Sequence, residues 1–240
     1  MPSQLDLAID ATINRLMAND GPLAVTYAEK NGVQLPVFAK APGNMADYFA
    51  FFCATHADKE FLVDGDIRLS FAETYGAARA LAGGLVEGHK LQKGERVGIA
   101  ARNSANWIIA YMAIVMAGGV ATLLNGWWQG GELAEGIRMV GCRFVLADEQ
   151  RAARMAGQDL GGCELLIINH DSLPLDGLSV LTAQGGGAAT ALPTLDPLDN
   201  ATILYTSGST GQSKGAVSDH RAVVQGAMSY VGQTLVFFEL

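Results

Sequence analysis

Directly behind an apolar run, the stretch Ile203-Leu-Tyr-Thr-Ser-Gly-Ser-Thr-Gly-Gln-Ser-Lys214-Gly215 gathers hydroxyls, glycines and a lysine. This is a composition suited to holding a polyphosphate. Gly208 and Gly211 let the backbone come close to an anion without a Cβ in the way, and Thr206, Ser207, Ser209 and Thr210 carry hydroxyl donors. Lys214 adds a mobile point charge. The spacing is not that of a Walker loop, which needs Gly immediately before the lysine and Ser or Thr after it; here Ser213 precedes Lys214 and Gly215 follows. No paired carboxylates near the loop, and no Ser, His and Asp at a telling spacing, supply a second candidate set.

A loop of this kind works only if its ends are fixed. Ala201–Tyr205 reads as a strand leading in, and Ala216-Val217 leads out. Upstream, Phe61–Val63 and Ile67–Leu69 flank the turn Asp64-Gly65-Asp66 and predict a small hairpin. Ser70 with Glu73 forms a capping box that launches a helix through Leu81 and Leu85 toward Gly88. After the turn Lys93-Gly94-Glu95 come strand 96–101, a helix from Ala105 capped by Ser104, and a strand Val120–Leu124 beyond Gly118-Gly119. Helix 131–140 ends at Gly141; strand 144–147, a short helix and strand 165–168 follow. Such alternation predicts an α/β fold, a doubly wound and mostly parallel sheet flanked by helices with right-handed crossovers.

We expect residues 1–240 to be part of one large domain: a helical or extended region 1–60, an α/β core 61–169, a linker or surface excursion 170–198 rich in Gly, Ala, Ser, Leu and Pro, and the loop strand with its following helix in 199–240. The half-apolar composition can build a sizeable core. A net charge of −8 without a Lys/Arg cluster argues against a nucleic-acid partner. Cys53, Cys142 and Cys163 are far apart in sequence and show no metal-ligand spacing, which reads as unpaired buried thiols in a reducing cytoplasm. The N-terminus lacks the basic start and apolar run of a signal peptide. Ala105–Leu124 is uncharged and long enough to span a bilayer. Its glycine pair divides it into a core helix and a buried strand, so we expect no transmembrane segment.

The run Tyr205–Gly215 resembles, almost position by position, the signature loop of the adenylate-forming enzymes, which include acyl-CoA synthetases, luciferase-like enzymes and the adenylation domains of peptide synthetases. Ser213 departs from it, standing where the family most often carries proline. Met116–Asn125 is similar to the family's helix end, glycine pair and apolar strand, and Asn125-Gly-Trp-Trp128 is most like the acyl-CoA synthetases. Trp127 and Trp128 can equally be packing aromatics. Asp219-His-Arg221 falls where the family commonly has His-Arg, and we read His220 as a hydrogen-bonded structural group.

The resemblance implies ATP-dependent activation of a carboxylic acid, most readily a fatty acid, as acyl-AMP, with transfer to coenzyme A. ATP phosphates would be held by Thr206, Ser207, Gly208, Ser209, Thr210, Gly211 and Lys214, with Mg2+ in contact with Thr206. It also implies that the catalytic residues lie downstream of Leu240, so that this chain is an N-terminal fragment, inactive alone. A few charge-assisted hydrogen bonds from the loop, less the cost of ordering it, give an expected nucleotide affinity on the order of millimolar. Apolar surface left uncovered, as at Phe237-Phe238, would favour self-association into a homo-oligomer. The alternatives are a truncated, non-catalytic nucleotide- or partner-binding module, and an adenylating enzyme with a different acceptor.

Overall fold

A computed structural model describes residues 2–206 and 213–239. Helices start where a small polar side chain can take up the free N–H groups of the first turn. Ser3 caps α1 (Gln4–Leu16), Asn44 caps α2 (Met45–Thr55), Ser70 caps α3 (Phe71–Glu87) and Ser104 caps α4 (Ala105–Met116). At α5 (Gly130–Val140) Glu132 accepts from the Gln129 N–H, and Gly141 closes the helix at φ 61°. Asp148 caps α6 (Glu149–Met155), Pro174 opens the single turn α7 (Pro174–Gly177), and Asp219 caps α8 (His220–Phe238).

Two hairpins precede the main sheet. In the first, β1 (Val25–Lys30) pairs with β2 (Val33–Phe38) across Asn31-Gly32, both residues at positive φ. An Asn-Gly turn between strands is a strong hairpin signal, and its place here gives the region 1–60 a definite form that composition alone did not. The second, β3 (Glu60–Asp64) with β4 (Ile67–Ser70), is the hairpin expected.

The main sheet holds β5 (Arg96–Ala100), β6 (Val120–Leu123), β7 (Cys142–Ala147), β8 (Glu164–Ile167), β9 (Asn200–Thr206) and β10 (Lys214–Asp219), in the spatial order β10-β9-β6-β5-β7-β8. Five strands run parallel and β10 is antiparallel to β9. Strand alternation sorts the core by face. Val97, Ile99, Phe144 and Leu146 pack with α3, α4 and α8, whereas Ala100, Val145 and Ala147 pack with α5 and α6. This is the doubly wound arrangement expected, with β6 and β7 on opposite sides of β5.

The uncharged stretch 105–124 is the buried helix α4, a turn through Gly118 at φ +79°, and β6. Among the described residues no helix is long and apolar enough to cross a membrane. The segment 170–198 runs over α3, where Leu178 and Leu181 are fully buried. Its close fit explains two helical glycines: a Cβ at Gly83 would lie 2.0 Å from the Gly187 carbonyl oxygen, and one at Gly84 2.2 Å from that of Leu181. Cys53 and Cys142 are buried, while Cys163 is only half-buried and lies beside Cys142 across β7 and β8. Burial pushes the Cys142 thiol up to about 11 and the Cys163 thiol up to about 12, so neither is a nucleophile at neutral pH.

Candidate functional site

The glycine- and hydroxyl-rich loop closes a β-hairpin. Thr206, the last residue of β9, is the register partner of Lys214, the first of β10. The Thr206 hydroxyl lies 3.5 Å from the Lys214 carbonyl oxygen, and both residues are exposed. The antiparallel ladder thus brings together, through the main chain, the two residues that end the predicted site, Thr206 and Lys214. Ser207, Gly208, Ser209, Thr210 and Gly211 lie outside the described residues. A Walker loop runs from strand to helix; this one runs from strand to strand, and the difference follows from Ala216–Asp219 continuing as β10. Hydroxyl and ammonium donors suit phosphate oxygens. For magnesium, the Thr206 hydroxyl is the one protein oxygen that our reading assigns to the loop.

Because β9 is parallel to β5 and β6, Thr206 emerges at the carboxyl edge of the sheet, the edge where open α/β sheets bind ligands. The next strands carry a second feature along that edge. A cleft of about 350 Å³ is lined by Arg102 and Asn103 after β5, by Asn125 to Trp127 after β6, and by Arg151 of α6. Its guanidinium groups are paired, that of Arg151 with Asp148 and that of Arg102 with Asp171, which leaves the Asn103 and Asn125 amides and the Trp127 indole to meet a ligand.

Asp148, at the carboxyl end of β7, organises this cleft. Its carboxylate is 1% exposed and accepts from the Arg102 N–H at 2.9 Å, the Arg151 N–H at 2.9 Å and Arg151 Nη1 at 3.0 Å. Arg151 Nε also donates to the Gly126 carbonyl at 3.1 Å, and Arg154 Nη1 to the carbonyls of Gly126 at 2.9 Å and Trp128 at 3.1 Å. Two arginines therefore hold the 125–128 turn by its main chain. Sequence reasoning missed them. The available signal was an aspartate ending an apolar strand with an arginine three residues on, a helix cap and an ion pair in one spacing.

The tryptophans divide. Trp127 is 83% exposed at the rim of the cleft, whereas Trp128 packs edge-on against Tyr205. His220 is buried at the start of α8, where Nδ1 accepts from the Met45 N–H at 3.3 Å, in keeping with a structural group. Burial holds its pKa below the ordinary value of 6.5, against the opposing pull of Asp199, Asp219 and Asp47. Above that value the folded and unfolded forms are both neutral. As pH falls below 6.5 the unfolded chain takes up a proton that the folded chain resists, so this contribution to stability is lost toward acid. We expect His220→Asn to flatten the fall of the urea midpoint below pH 6.5 relative to wild type. Parallel profiles would show that another group titrates.

The fold and the hairpin define an open α/β domain with its glycine- and hydroxyl-rich loop at the carboxyl edge of the sheet, and comparison with known proteins gives it a family. Residues 49–239 match the family model described as AMP-binding enzyme. The 4-coumarate–CoA ligase-like 3 protein of Oryza sativa subsp. japonica is 33% identical over 159 residues, which is 60% of this chain and 27% of that protein. Nonribosomal peptide synthetase ecdA of Aspergillus rugulosus is 30% identical over 158 residues, 66% of this chain and 2% of that protein. A solved Mycobacterium tuberculosis fatty acyl CoA synthetase shares the fold with a TM-score of 0.67 at 20% identity, over 79% of this chain and 37% of that one. The chain belongs to the AMP-binding enzyme family, whose members here are adenylate-forming ligases and peptide-synthetase adenylation domains. It spans about a third or less of the length of the 4-coumarate–CoA ligase relatives it matches, 27% and 33%.

Proposed function

We propose that this chain supplies the phosphate-holding part of an ATP-dependent acyl-CoA synthetase. A carboxylate oxygen attacks the α-phosphorus of ATP, pyrophosphate leaves, and the thiol of coenzyme A then attacks the acyl carbonyl with loss of AMP. The β9–β10 loop would hold the β- and γ-phosphates, so its contribution is to position the nucleotide and to stabilise negative charge as it builds on the departing pyrophosphate. Bound magnesium would share that charge, and Thr206 is the residue we assign to it. The observation that carries this reading is the hairpin that sets Thr206 opposite Lys214 at the carboxyl edge.

The cleft after β5 and β6 on the same edge would give the organic part of a reactant a place near the loop. We assign the acid to the fatty class, and the cytoplasm as the compartment, on the same basis of resemblance. An acceptor other than coenzyme A, such as a carrier-protein thiol, is the second reading, favoured by the peptide-synthetase relative.

The test is an assay of carboxylate-dependent ATP–pyrophosphate exchange in a protein that joins this chain to the remaining length of its relatives, across a panel of acids, with thioester formation measured for coenzyme A and for a carrier protein. Exchange with a fatty acid and thioester on coenzyme A is expected. Exchange without coenzyme A thioester would move the assignment to another acceptor, and no exchange with any acid would overturn it. The 240-residue chain alone should exchange at no useful rate.

A further inference from the structure

The stem of the β9–β10 loop is gripped from outside the sheet. Tyr205 stands one residue before Thr206, opposite Gly215 in the register. Its phenol O–H donates to the main-chain carbonyl of Gly136 in α5, and its ring meets Trp128 edge-on with centroids 5.1 Å apart at 66°. A glycine makes room for this: a Cβ at Gly136 would lie 2.9 Å from the Trp128 ring and 3.5 Å from that of Tyr205. Trp128 is itself anchored, donating its N–H to the Asn125 carbonyl at 3.0 Å and accepting from Arg154 at 3.1 Å. Burial pushes the phenol's pKa upward, which keeps it a neutral donor. Phenylalanine would fill the same space, so the hydroxyl bond is more than packing requires.

We propose that Tyr205 is a positioning residue: clamped by Trp128 and the Gly136 carbonyl, it fixes the end of β9 and so sets where Thr206, opposite Lys214, presents its hydroxyl to a polyphosphate. The inference rests on the phosphate-holding role assigned above. It places the control of that role in a side chain that points away from the neighbouring Thr206, since successive strand residues face opposite sides.

Titration of the 240-residue chain with magnesium tripolyphosphate, by calorimetry, tests it. Tyr205→Phe should weaken binding by about fivefold, the size of one lost hydrogen bond; Gly136→Ala, whose Cβ would press on the Trp128 ring, should weaken it by a similar factor, and the double variant should be little worse than either, because both release the same tyrosine. Ile137→Val, which loosens the same α5 core without touching the clamp, should leave the affinity unchanged. Binding that is lost in Lys214→Ala yet intact in Tyr205→Phe and Gly136→Ala would overturn the clamp and leave the phosphate assignment standing. Equal weakening by Ile137→Val would also overturn it, by reducing Tyr205 to general support. Absence of binding, or binding indifferent to Lys214→Ala, would overturn both.

Discussion

Lys214→Ala should slow acyl-adenylate formation by about 100-fold in a protein of the relatives' full length, with transfer from preformed acyl-AMP to the thiol little changed. Removing one preorganised group that stabilises developing charge typically costs 10²–10³ in rate, of which we expect about the lower end for an exposed lysine. Lys214 opens β10 opposite Thr206, so the sheet fixes its main chain while its side chain reaches freely from the edge. In the proposed role its ammonium would act on the pyrophosphate as that group departs, an interaction stronger in the transition state than with bound ATP. The loss should therefore fall mainly on kcat. Single-turnover measurement of acyl-AMP and of thioester from supplied acyl-AMP separates the steps. Unchanged adenylation would remove Lys214 from the site.

Asp148→Ala should cost about 3–5 kcal/mol of stability, the usual penalty for stripping one partner from a buried ion pair. The carboxylate is buried and satisfies two backbone N–H groups as well as the Arg151 guanidinium. Its loss leaves the Arg151 side chain, 10% exposed, with a charge that only neutral carbonyl and amide groups address. It also uncaps α6. Asp148→Asn, which keeps an acceptor for the helix cap, should cost less. Urea denaturation of the three proteins measures the difference, and a midpoint for Asp148→Ala close to wild type would show that the cluster is not a stabilising unit. Because Arg151 and Arg154 hold Gly126 and Trp128, the cleft and the Tyr205 clamp should loosen in the same variant before the protein unfolds.

Most of the architecture was legible because local signals agreed with one another. Ser70 with Glu73, Ser104, Gly118-Gly119 and Gly141 mark the element ends where the structure has them, and the alternation of strand and helix left few topologies. The Asn31-Gly32 hairpin was legible in principle, yet the flanking strands expose most of their residues and so lack the apolar alternation that announces a strand. Leu178 and Leu181 were hidden in a stretch whose composition suggested surface, because their burial depends on the bare backbone of Gly83 and Gly84 far upstream. At the site, the loop was picked out by residue type and spacing, and the structure describes its two ends, Thr206 and Lys214, as register partners. The Asp148–Arg151 pair was legible in its three-residue spacing and was overlooked, whereas the contacts of Tyr205 with Trp128 and α5 could not be read, since they join elements that only the fold brings near. Trp127 and Trp128, adjacent in sequence, have different surroundings for the same reason.

Phosphorus NMR of magnesium ATP in the presence of the 240-residue chain would test the central claim most directly. If the β9–β10 loop holds the terminal phosphates, the β- and γ-phosphorus signals should broaden and shift with added protein, the α-signal should respond least, and Lys214→Ala should abolish the effect. Equal perturbation of all three signals in wild type and Lys214→Ala, or none at millimolar protein and nucleotide, the range expected for this loop alone, would contradict it.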